Sequence, residues 1–160
     1  MNRMISYALA LLAMQPMIAL AQNFTGYRTT TLDTVVEEWN EKTKDLGPGV
    51  SLSPPAKVKF IATMNGAPAP CSNGALVVVL RMIGFEDLLK QVKVSHCLTV
   101  TSGKGRTVTA YVQDVLVPGL NSDAKVGGPI ELYVDVLAYQ VDSDRSRNAP
   151  IMLVNRFEPQ

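Results

Sequence analysis

QVKVSHCLTVT, Gln91 to Thr101, is the stretch on which the fold turns. Val92, Val94, His96, Leu98 and Val100 fall on one side of an extended backbone, and Lys93, Ser95, Cys97, Thr99 and Thr101 on the other. A period of two belongs to a half-buried β-strand. Ser102-Gly103-Lys104-Gly105-Arg106 follows as a hairpin-type turn, and Thr107 to Val117 reads as the returning strand.

Working outward, Pro118 to Gly128 is rich in Gly, Asn, Ser and Asp and reads as a longer connection. Pro129 opens a strand over Ile130 to Val141, Asp142 to Asn148 is a polar hairpin loop, and Ile151 to Phe157 is the last strand. Upstream, Phe85 to Lys90 has room for one short helical turn. Ala75 to Ile83 is an apolar run broken only by Arg81, which reads as a buried strand with a helix as the alternative. Asn65 to Gly74 carries Pro68, Pro70, Asn73 and Gly74 and reads as a loop. Lys57 to Met64 is the first strand, after the rigid Pro54-Pro55.

Before it the period is helical. Leu32, Val35, Val36, Trp39, Thr43 and Leu46 recur at spacings of three and four, with Glu37, Glu38, Glu41, Lys42 and Lys44 opposite. Thr31, Asp33 or Thr34 supplies the N-cap, Thr34 with Glu37 fitting a capping box, and Gly47-Pro48-Gly49 stops the helix. An acidic as well as basic polar face points to a helix laid on a β core rather than to a membrane-surface anchor.

One helix and five or six short strands predict a mainly β (α+β) domain: a small, largely antiparallel barrel behind an amphipathic N-terminal helix. The turn Val126-Gly127-Gly128, leading into a long strand, resembles that of a five-stranded oligonucleotide- and oligosaccharide-binding (OB) barrel. The likeness is one of fold alone.

The 160 residues suit one domain, and 47% hydrophobic residues are too many for a disordered chain. A formal charge of +1 gives no global pull toward nucleic acid or an anionic membrane. After Asn2 and Arg3, Met4 to Leu20 is uncharged, and Ala19-Leu20-Ala21 matches a signal-peptidase site, which predicts cleavage before Gln22. A retained membrane anchor is the alternative, disfavoured by Gln15-Pro16 within the run. Residues 1–21 are therefore expected to be a signal peptide, 22–49 a lead-in and helix, and 50–160 the barrel, with no membrane span left after cleavage. A periplasmic or secreted location follows. In an oxidising compartment the only two cysteines, Cys71 and Cys97, are expected to pair.

Catalytic equipment is sparse. His96 is the only histidine, and its strand register with Val94 and Leu98 suggests a core residue. Strict alternation would also turn Ser95 away from it. Asp114, Glu131 and Asp135, on neighbouring expected strands, are the carboxylates available to a hydrolase. Asp142, Asp144 and Asn148 lack the Gly and terminal Glu of a calcium loop, and Arg145 and Arg147 would repel a cation. Gly103-Lys104-Gly105 lacks P-loop spacing. No metal and no cofactor are expected.

What remains is a candidate binding surface: Lys93, Lys104 and Arg106 beside Tyr111, Tyr133 and Tyr139. The expectation is an exported, non-catalytic module that binds another protein of the cell envelope or outside the cell, as an inhibitor or immunity-type partner. The alternatives are a polymeric ligand, oligosaccharide or nucleic acid, and a hydrolase using Glu131 and Asp135.

Overall fold

The computed structural model describes residues 26–144 and 148–160. The segment expected to be a signal peptide, the start of the lead-in, and Arg145 and Arg147 lie outside the described residues.

The chain is mainly β with a few helices, built on a mixed sheet. Strand β1 (Arg28–Thr29) leads to helix α1 (Leu32–Thr43). Of the three cap candidates, Thr31 does the work: its side chain accepts from the Thr34 N–H at 3.0 Å. Leu32, Val35, Val36 and Trp39 turn into the core, as their spacing requires.

Strand β2 (Gly49–Met64) starts earlier than expected, and its register breaks between Leu52 and Ala56. Pro54 and Pro55 lie in that break, where neither can donate to a ladder. After the two-residue β3 (Ala69–Pro70), the run expected as a buried strand is helix α2 (Gly74–Met82). The continuous apolar run suggested a strand, but the helical alternative is what forms. Leu76, Val79 and Leu80 lie three and four apart and reach zero exposure in a cluster with Val94, Leu137, Ile151 and Leu153. Gly84, at φ 77°, lets the chain leave α2 by a turn that a side chain would strain.

Helix α3 (Leu88–Gln91) precedes β4 (Val94–Thr101) and β5 (Thr107–Gln113). The expected strand to Val117 is cut short. A 3-10 turn at Asp114–Leu116 runs into α4 (Val117–Asp123), within the stretch expected to be an irregular connection. Pro118 sits in the first turn of α4, where its missing N–H costs nothing, and Leu120 anchors the helix in the core. Strands β6 (Pro129–Val141) and β7 (Ala149–Pro159) complete the chain.

The strand order is β1-β2-β6-β7-β5-β4-β3, with a further antiparallel pairing of β2 to β4 through Thr63↔Thr101 and Met64↔Val100. Pairing therefore runs from β2 through β6, β7, β5 and β4 back to β2. Most pairs are antiparallel, as expected, but β1–β2 and β5–β7 are parallel. Phe60, Met64, Leu98, Val100, Ala110, Leu132 and Val154 fill the main core, on which α1 and Leu120 pack. Tyr139 stacks on Trp39, ring centroids 3.7 Å apart, and its hydroxyl donates to the Val35 carbonyl at 2.8 Å.

Candidate functional site

Cys71 and Cys97 are joined in a disulfide, with Cα atoms 5.7 Å apart. The bond ties the approach to α2 onto β4, and the Asn73 side chain adds a second tie, donating to the Val94 carbonyl at 2.7 Å. Helix α2 thus buries Leu76, Val79 and Leu80 and is anchored at its start. Its other face stays in solvent. Val78 and Met82, one turn apart, and Phe85 just past the helix are 50%, 58% and 54% exposed, with Arg81 among them. Val78 and Met82 share one side of the stapled helix and Phe85 follows its end, so three large apolar side chains stand in solvent on and just beyond one element.

On β4 the sequence expectation fails at Ser95 and His96. The register steps from Val94↔Gln113 to His96↔Val112, so Ser95 is an extra residue in a β-bulge. The bulge breaks the alternation, and both side chains reach Asp114 at the start of the 3-10 turn. Ser95 donates its N–H to Asp114 Oδ1 at 2.8 Å and its hydroxyl to Oδ2 at 2.7 Å. His96 Nδ1 lies 3.0 Å from Oδ1 and 3.1 Å from Ser95 Oγ. Burial opposes the charge on Asp114, but the bonds from His96 and Ser95 outweigh it and hold the carboxyl down to about 2.

The residue types are those of a hydrolytic triad; the wiring is not. In a triad, histidine bridges carboxylate and serine through its two nitrogens. Here one nitrogen faces both, and an ionised carboxylate only accepts, so that nitrogen is a donor rather than the base a nucleophilic serine needs. The cluster ties β4 to the end of β5.

The six expected binding residues do not form one surface, although Lys104 and Arg106 meet on one carboxylate. Lys104 bonds Glu37 of α1 at 2.8 Å, and Arg106 lies 3.6 Å from the same carboxylate. That bond raises the Lys104 pKa and lowers that of Glu37. Lys93 precedes β4 and sits 3.9 Å from Asp114. Tyr111, expected on the surface beside Lys93, packs against the cluster under α2, and burial raises its pKa. Tyr139 is a core residue, 2% exposed, contrary to the surface role expected of it.

Tyr133 is buried too, yet it stands among charges: Lys59 and Arg156 lie over its ring at 5.3 and 5.1 Å, and its hydroxyl lies 3.2 Å from carboxylate oxygens of both Glu131 and Glu158, which share its one proton. Glu131 also pairs with Lys59 at 3.4 Å. Asp135 shares the strand, with its pKa raised by burial against the pull of Asn155 and Lys57. Glu131 is thus held in a network of charges around Tyr133, whereas Asp135 lies outside those contacts. Asp114, the third, lies in the 3-10 turn and not on a strand.

A surface that sequence reasoning missed lies on β2, β4 and β5. Register sets Thr63, Thr101 and Thr107 in one row, and Thr99 and Thr109 in the next. Asn65 joins them, its N–H donating to the Thr99 carbonyl and its Oδ1 accepting from Thr101 Oγ at 2.9 Å. The repeated Thr-Val-Thr of 99–101 and 107–109 was the available signal.

No protein-family model matches the chain, and no curated protein matches it either. Among the described residues no helix is long and apolar enough to cross a membrane.

Proposed function

We propose that this protein is an exported, non-catalytic protein-binding module built on a small OB-type barrel, and that it engages its partner through the outward face of α2. The barrel reading is supported by the circuit β2–β6–β7–β5–β4–β2, with α4 inserted before β6. Export is supported by the apolar segment Met4 to Leu20 and by the disulfide.

The observation that carries the binding role is the Val78, Met82 and Phe85 patch. Aromatic residues, Met and Arg are enriched where proteins meet, and a stapled element loses little freedom on docking. An inhibitor or immunity-type role fits a rigid domain whose only Ser-His-Asp grouping is wired against nucleophilic catalysis.

Capture from an envelope extract tests the reading, with the oxidised full chain and the variant Val78→Ser, Met82→Ser, Phe85→Ser as baits. One protein retained at high salt by the first and lost by the second is the expected result. Identical profiles for the two baits would remove the patch from the account.

A second reading rests on the hydroxyl face. Five threonines and an asparagine without a charge suit a neutral oligosaccharide, whereas nucleic acid asks for cations and exposed rings.

A further inference from the structure

The sequence contains two Asn-Gly steps, Asn65-Gly66 and Asn73-Gly74. In such a step the backbone nitrogen of glycine can attack the asparagine side-chain carbonyl, because glycine has no side chain to hinder the approach. We propose that Asn65 is a self-modifying site, converted to aspartate and isoaspartate through a cyclic imide, while Asn73 is protected by the fold.

The step balances within the chain and with water. The Gly66 nitrogen gives up its proton and bonds to Asn65 Cγ. The Cγ–Nδ2 bond breaks, and ammonia leaves with that proton. Water then opens the imide at either carbonyl, giving the aspartyl or the isoaspartyl linkage.

Three features of Asn65 favour attack. It is exposed and lies just past β2, and although its own N–H donates to the Thr99 carbonyl, the attacking Gly66 nitrogen takes no part in that bond. The Gly66 N–H makes no hydrogen bond among the described residues, and nothing lies within 4 Å of where a Gly66 Cβ would stand. The third is chemical: Thr101 Oγ donates to Asn65 Oδ1 at 2.9 Å and lies 3.1 Å from Thr107 Oγ. A donor on that oxygen draws charge from Cγ and stabilises the oxyanion that forms as nitrogen adds. Thr101 is a positioning and polarising residue for the modification.

Asn73 differs at each point. Its side-chain nitrogen is committed to the Val94 carbonyl, and its own carbonyl accepts from the Val77 N–H at 2.9 Å in the first turn of α2. Its backbone is fixed at φ −97°, ψ 12°, and Gly74 is the first helical residue. Cyclisation there would unwind the start of the helix. Modification of Asn65, by contrast, places a carboxylate on an uncharged hydroxyl face.

The test is incubation of the folded, oxidised full chain in mildly alkaline buffer, followed by reduction and peptide mapping. Both asparagines fall in tryptic peptide 60–81, so fragment ions must separate them. Conversion at Asn65 should outrun that at Asn73 at least tenfold, and denaturant should erase the difference. Thr101→Val should slow Asn65 several-fold, and Thr101→Ser, which keeps the hydroxyl, should restore the rate. Equal rates at the two sites in the folded chain, or a Thr101→Val rate equal to wild type with the melting temperature unchanged, would overturn the proposal.

Discussion

Ser95 donates its hydroxyl to Asp114 at 2.7 Å, so the carboxylate, and not His96, is the acceptor for the only serine beside the only histidine. The bond closes a bulge and pins β4 to the turn after β5. Asp114 is held down to about 2 in the folded chain against a usual 3.8, so its contribution is present above the unfolded value. It is lost as pH falls from there through about 2. Asp114→Asn should lose about 1–2 kcal/mol in urea unfolding at neutral pH. The gap to wild type should close below about pH 2.

Helix α1 is clasped to the β4–β5 hairpin by Asp33. This buried carboxylate accepts from Ser102 Oγ at 2.7 Å and from the Lys104 N–H at 3.1 Å. Asp33→Ala leaves Ser102 without that acceptor and should cost about 2 kcal/mol. Glu37→Ala, which removes only exposed ion pairs, should change stability by less than about 1 kcal/mol. Denaturant titration of both variants separates the buried bond from the surface charges.

Much of the fold was legible because periodicity reports burial. The strand expected over 91–101 is found from Val94 on, the one expected over 130–141 is β6, and the helical spacing from Leu32 became α1, which ends at Thr43, short of Leu46. What failed was governed by tertiary partners. Val77-Val78-Val79 favours a strand locally, but the Leu76, Val79 and Leu80 spacing lets a helix fill the cluster beside Leu137 and Leu153. Ser95 and His96 were assigned opposite sides because an inserted residue leaves no mark on composition. Tyr139 looked like a surface ring because nothing in its own strand announces the stacking partner Trp39, which lies 100 residues earlier.

Asp135 stands against the usual direction of carboxylate electrostatics. Burial raises its pKa, and Oδ1 has no hydrogen-bond partner among the described residues. Between the unfolded and the raised folded pKa the folded state holds more protons, so stability falls as pH rises through that window. Asp135→Asn should raise the melting temperature at neutral pH and flatten its decline with rising pH. A scan of thermal unfolding from about pH 3 to about pH 7 measures both.

The disulfide closes a loop with a sequence separation of 26. Replacing both cysteines by alanine should cost about 3 kcal/mol, chiefly by freeing the unfolded chain. Hydrogen exchange should show the loss first at α2, which the bond tethers.

The central claim, recognition of a protein through the outward face of α2, is tested most directly by a photo-crosslinking residue placed at Met82 in the protein at its native location. A single discrete adduct is predicted from that position, with none from the same probe at Thr109 on the hydroxyl face. No adduct at Met82, or equal adducts from the two positions, would contradict the account.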